Sequence, residues 1–395
     1  MLYIFNNIKR KEILDSVINI DDDKVKAISN LINFGIEEGL DGNLWKKYII
    51  YTFIFNDNSY TRAIERNKND IGYSSYVDSD FHYFYELYNM DILSLGEACN
   101  FKITSDRANK YLGELIDEII SKIIDNDYDS FKNAILDFYK NKGLSYMAIY
   151  KAFRVDDGKL KPITNVLNVT FDDLIGYDMQ KELLCDNTEC FIEGKPFNNV
   201  LLYGDSGTGK STSIKALINK YFDKGLRIIE VYKHQMEEIS KIIHTLRERP
   251  YYYIIYMDDL SFEENEVEYK YLKSIIEGGI EPKPDNVSVY ATSNRRHLIK
   301  ETFKDNGTID DDLNRNETQA EKLSLAYRFG LQIYYSNLSP MEFKKMVKAL
   351  AIVNNINIDD ETLYMEANRW QLRYGSLSGR CATQFVSYLI NKVVK

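Results

Sequence analysis

Two rhythms of apolar residues divide the chain. Up to about residue 150 they recur every three to four positions, the period of an amphipathic helix. This predicts helices over Lys24–Glu38, Asn43–Phe55, Ser79–Tyr88, Ala108–Ile124 and Ser130–Tyr139. Gly and Pro are scarce there, and no β-hairpin signature is seen. From Phe171 onward, short apolar runs alternate with helical segments. Strands are predicted at Asn199–Tyr203, Leu226–Tyr232, Tyr252–Met257, Val287–Thr292 and Leu331–Tyr335. Such an alternation is an α/β signature with a parallel sheet. After Pro340 the chain turns helical again, over Met341–Val353, Asp359–Tyr374 and Gly379–Val394. Between the two rhythms, Phe153–Val169 is more polar, carries Gly158 and Pro162, and reads as a linker. No internal repeat is visible.

Composition narrows this picture. The 395 residues are 44% hydrophobic and 28% charged, which suits a soluble globular protein of two or three domains. The N-terminal sequence lacks a signal-peptide pattern, and the longest apolar runs are less than half a membrane span. A cytoplasmic protein without a membrane partner is expected. The net charge of −10 argues against a broad basic footprint, so nucleic acid is not indicated as a partner. Cys99, Cys185, Cys190 and Cys381 show no zinc-site spacing and read as reduced thiols. The 31 tyrosines reflect compositional bias. Residues 1 to 150 carry no assignable motif.

The most informative stretch is Leu201–Ser211, LLYGDSGTGKS. Gly204, Gly209, Lys210 and Ser211 fit G-x-x-x-x-G-K-[ST], and a strand before and a helix after supply the context that a phosphate-binding loop needs. The glycines let backbone N–H groups curl around phosphate oxygens, helped by the positive end of the following helix. Asp205, Ser206, Gly207, Thr208, Gly209, Lys210, Ser211 and Thr212 are the expected nucleotide contacts. Lys210 would reach the β- and γ-phosphates, and Ser211 would hold Mg²⁺.

A second strand should deliver a carboxylate to the metal. Tyr253–Met257 followed by Asp258 and Asp259 does so. Asp258 is expected to bind Mg²⁺ through water, and Asp259 to polarise the water that attacks the γ-phosphate. Asn294, just past the strand that ends near Thr292, could orient that water or touch the γ-phosphate.

Further along come Leu325-Ala326-Tyr327-Arg328-Phe329-Gly330, and then Gly379-Arg380 opening a late helix. This order resembles the AAA+ ATPases, and more closely an uncharacterised bacterial branch of them, the domain of unknown function 815. The matching stretches are FDDLIGYDMQKELL, NVLLYGDSGTGKS, YMDDLSFEENE, ATSNRRHL, EKLSLAYRFGL and SLSGRCATQFV. The resemblance covers Phe171 to the C-terminus. It implies a P-loop α/β domain over 170–338 and a helical lid over 339–395; the periodicity and composition before it predict an all-α accessory domain over 1–152 and a linker over 153–169. It implies that the segment Phe171–Gly176 packs on adenine, with backbone contacts near Ile175 and Gly176. Asn294 matches sensor 1, Arg328 the arginine finger that acts on a neighbouring subunit, and Arg380 sensor 2.

Three departures qualify the resemblance. Asp-Asp replaces the usual Asp-Glu at the strand end, so Asp259 is one methylene short; Glu263 or Glu264 could contribute instead. Thr383 stands where the close branch tends to carry another arginine. Val231–Met236 lacks the aromatic-aliphatic-Gly triplet of protein-threading machines. The expected protein binds MgATP and hydrolyses it slowly, as a homo-oligomer, coupling nucleotide state to assembly or to remodelling of a partner bound by the N-terminal domain. The alternatives are a nucleotide-gated scaffold or helicase-loader-like module with incidental turnover, and a small-molecule kinase.

Overall fold

The computed structural model describes residues 2–67, 75–90, 96, 98, 101–102, 110–262, 266, 268–277, 282–296, 298 and 325–393. They form two compact units, Met1–Tyr150 and Lys151–Lys395. No helix among the described residues is long and apolar enough to cross a membrane.

The first unit is helical: α1 (Lys11–Ile18), α2 (Lys24–Glu38), α3 (Leu44–Ile54), α4 (Ser59–Asn67), α5 (Ser75–Tyr88), α6 (Lys110–Ser121), α7 (Tyr128–Asn141) and α8 (Ser145–Ile149). The sequence LWKKYIIYTFI of α3 is apolar on nearly every side, so this helix is the buried one around which the others pack. Its start is fixed by Asn43, whose side chain accepts from the Lys46 amide at 3.0 Å. Phe53 on α3 sits edge-on to Phe5, Phe84 and Phe131 at centroid distances of 4.9 to 5.8 Å. The buried polar groups are tied up inside this core. Asp80 accepts from the backbone amides of Tyr3, Ile4 and Phe5 at 2.7 to 3.0 Å. Glu65 accepts from the Leu144 amide, and Lys47 pairs with Asp117.

The second unit is built on one seven-stranded sheet in the order β2-β1-β4-β5-β6-β3-β7. Its strands are β1 (Ala152–Asp156), β2 (Lys159–Ile163), β3 (Val200–Gly204), β4 (Leu226–Glu230), β5 (Tyr252–Met257), β6 (Val287–Ser293) and β7 (Leu331–Tyr335). All neighbours are parallel except β1 and β2. Helices cover the sheet, among them α9 (Asp178–Ile192), α10 (Lys210–Tyr221), α11 (Ile239–Leu246) and α12 (Glu268–Glu277). The strands read as continuous apolar runs because both faces are buried. Three C-terminal helices, Pro340–Val353, Asp360–Tyr374 and Gly379–Val393, share their own core of Phe343, Val347, Leu363, Ala367, Ala382 and Phe385.

The expected linker is the main correction. Residues 152–163 form a hairpin that extends the sheet beyond β4. Its turn holds Asp157 and Gly158 at φ 48° and 68°, the left-handed pair of a two-residue hairpin turn. Gln235 Nε2 donates to the Val155 carbonyl at 2.8 Å, and the Gly158 amide donates to Glu238 at 2.6 Å. The hairpin therefore also holds the turn of helix after β4.

Candidate nucleotide site

The phosphate loop leaves the sheet between its neighbours β6 and β7, at the carboxyl end of β3. This is the strand end from which open α/β sheets present ligands. Gly204 has φ 131°, and a Cβ there would stand 2.0 Å from the Tyr335 carbonyl oxygen, so only glycine fits. Gly209 has φ 96° and immediately precedes α10, so the loop amides gather at that helix N-terminus. Thr208 Oγ1 donates to the Asp205 carbonyl at 2.8 Å and braces the loop. Lys210 Nζ donates to the carbonyls of Gly204 and Asp205 at 2.9 and 2.6 Å, and to Asn294 Oδ1 at 3.2 Å. Burial lowers its pKa, against the opposing pull of Asp205, Asp259 and Asp258.

The strand-end acids lie across from the loop. Ser211 Oγ donates to Asp258 Oδ1 at 2.6 Å, and Thr292 Oγ1 donates to the same oxygen at 2.6 Å. Burial pushes the Asp258 carboxyl up, but the hydrogen bonds from Ser211 and Thr292, with Lys215 nearby, outweigh it and hold the pKa below 3.8. Asp259 has φ 49°, and its amide donates to Thr292 Oγ1 at 2.8 Å. Asn294 Nδ2 donates to Asp259 Oδ1 at 2.7 Å. Asn294 thus connects Lys210 to Asp259.

These groups line one cleft of about 700 Å³. Its walls include Ser206 to Thr212, Asp258, Asp259 and Asn294 on the sheet side, and Ile175 before α9. The C-terminal helices close it with Met346, Leu350 and Arg380. Ile175 also packs on the core of those helices. Of the expected residues, three stand apart from the lining. Gly176 takes φ 82° beside Leu338. The Asp205 carboxylate accepts from the Asn337 amide at 3.0 Å, at the exit of β7. Arg328 lies in the turn before β7. Glu263 and Glu264 lie outside the described residues. The sequence reading gave no role to Thr292, although it lies two residues before Asn294 on β6, a period-2 signal. Met346 and Leu350 come from a distant segment and carried no local signature, whereas Tyr177 adjoins the expected Gly176.

The family model for "Protein of unknown function (DUF815)" matches residues 147–393. The chain belongs to this family. The DUF815 chain combines a largely parallel α/β sheet, a phosphate-loop motif at the end of β3 and three C-terminal helices. Replication factor C large subunit of Methanococcus vannielii is 33% identical to it over 76 residues, 19% of this chain and 15% of that protein. A RuvB mutant of Thermotoga maritima aligns at 18% identity and a TM-score of 0.41, covering 57% of this chain and 65% of that one. The structure titled Thermotoga maritima RuvB Holliday junction branch migration motor aligns at 19% and 0.39, covering 57% and 66%. The chain thus spans under two thirds of each of these relatives.

Proposed function

We propose that the second unit binds MgATP and hydrolyses it slowly. The observation that carries this reading is the convergence of Lys210, Ser211, Asp258, Asp259, Asn294 and Arg380 on one cleft. The residues also fit the metal. Ser211 Oγ and Asp258 Oδ1 are 2.6 Å apart, and an ionised carboxylate with a hydroxyl is an all-oxygen donor pair suited to a hard cation. Mg²⁺, when bound, would neutralise charge on the β- and γ-phosphates. Lys210 would turn from the loop carbonyls to the phosphates, and Arg380 would reach them from the C-terminal helices. Asp259 would accept a proton from the attacking water, with Asn294 fixing the carboxylate.

Assembly into a homo-oligomer would bring Arg328 of a neighbouring copy to the γ-phosphate, and the helical first unit would recognise a protein partner. Its position outside the cleft, in the turn before β7, supports the role for Arg328. The turn after β4 is held by the hairpin, which favours remodelling by domain movement over polypeptide threading. Mass measurement with and without ATP tests the assembly step. Wild-type protein should associate with ATP, and Arg328→Ala should bind ATP yet associate and turn over less. Full turnover by a wild-type monomer at high concentration would exclude a finger acting between copies.

A further inference from the structure

Within the phosphate loop, Asp205 is the one acidic residue, and acid next to a triphosphate is electrostatically unfavourable. Its surroundings explain its presence. The Asp205 amide donates to the Tyr335 carbonyl at 3.1 Å, and its Oδ2 accepts from the Asn337 amide at 3.0 Å. Tyr335 ends β7, and Asn337 belongs to the short connection from that strand to the C-terminal helices. The next residue along, Leu338, donates its amide to the Leu377 carbonyl at 2.8 Å, just before the last helix. Arg380 is the second residue of that helix, and its amide donates to the Gly207 carbonyl at 3.1 Å. A Cβ on Gly207 would stand 2.9 Å from the Arg380 Cβ. The loop therefore grips the C-terminal helices twice, through Asp205 at their root and through Gly207 at Arg380.

We propose that Asp205 is a positioning residue that clasps the phosphate loop to the root of the C-terminal helices and so sets where Arg380 stands over the nucleotide. The inference rests on the nucleotide-site reading above. Asp205 orients the connection and makes no phosphate contact of its own through its carboxylate. A change in loop shape on nucleotide binding is passed to the helices by this bond, and a movement of the helices is passed back to the loop.

The test is a double-mutant cycle in the full chain, with affinity read by a fluorescent ATP analogue and Mg²⁺. Asp205→Ala should weaken binding at least about tenfold, the low end of the worth of one charge-assisted hydrogen bond. Asp205→Asn retains an acceptor oxygen and should stay within about threefold. In an Arg380→Ala background, Asp205→Ala should cost less than about twofold, because the group it positions is gone. Equal losses in both backgrounds would overturn the proposal, as would an Asp205→Ala that binds like wild type. Hydrogen exchange separates the clasp from the site reading. The Asn337 amide should exchange at least about tenfold faster in Asp205→Ala without any nucleotide. Unchanged exchange there refutes the clasp, whereas wild-type protein that binds no nucleotide refutes the site reading beneath it.

Discussion

The two units treat buried polar groups in opposite ways. In the first, Asp80 is saturated by three backbone amides, Glu65 accepts from the Leu144 amide, and Lys47 pairs with Asp41 and Asp117. Each is satisfied by its own fold. In the second, Lys210 is also withdrawn from water, yet it faces a cleft in which Asp258 stands exposed, and its partner Asn294 lies just past a strand end. Burial that ends in saturation makes structure, whereas burial that ends at an opening leaves groups able to exchange partners with a ligand. That difference separates the helical unit from the site more sharply than composition does.

Substitutions that should separate the two kinds of burial differ in size. The largest effect is expected from Asp259→Asn, which should lower turnover by at least about 10²-fold while ATP affinity is kept. Steady-state kinetics beside a binding titration checks it, and normal turnover would shift attention to Glu263 or Glu264. Asp80→Ala leaves three amides without their acceptor and should cost about 2–4 kcal/mol in the denaturant unfolding of the first unit. ATP affinity should not move; a parallel loss of affinity would break the contrast. Thr292→Val keeps the shape but removes the hydroxyl between Asp258 and Asp259. It should lower turnover about fivefold to tenfold, the worth of one hydrogen bond in a charged pair.

The smallest effect is one of pH. Asp258 has a depressed folded pKa, so its contribution to stability is present above the ordinary carboxyl value of 3.8 and is lost as pH falls through the folded pKa. Thermal unfolding of the ligand-free protein should show this acid loss, and Asp258→Asn should reduce its steepness below pH 4. Identical acid profiles would contradict the ionised, hydrogen-bonded carboxylate.

Where the sequence was legible, it was because one physical constraint acted locally. Strands buried on both faces had to be apolar runs, so all five expected strands are found within two residues of their expected ends. The phosphate loop was legible because its glycines answer to backbone geometry, as Gly204 against Tyr335 shows. The hairpin at 152–163 was missed although Asp157-Gly158 is a turn signal and Phe153-Arg154-Val155 and Lys159-Leu160-Lys161 alternate, because these two runs are short and polar beside the buried strands that follow. Helices α1, α4 and α8 were not expected, and α9, α11 and α12 were expected only as helical segments without bounds between strands; α9 is weakly amphipathic, and α4 is polar overall. Thr292 and Asp205 act through partners 34 and 132 residues away, which only the folded chain brings together.

The central claim is that the cleft around Lys210 takes MgATP, and one calorimetric titration addresses it most directly. ATP with Mg²⁺ should bind the full chain at about one site per copy. Lys210→Ala, unchanged in unfolding midpoint, should bind it on the order of 10²-fold more weakly, the worth of a charge-assisted contact to phosphate. Equal ATP affinity in the two proteins would contradict the account.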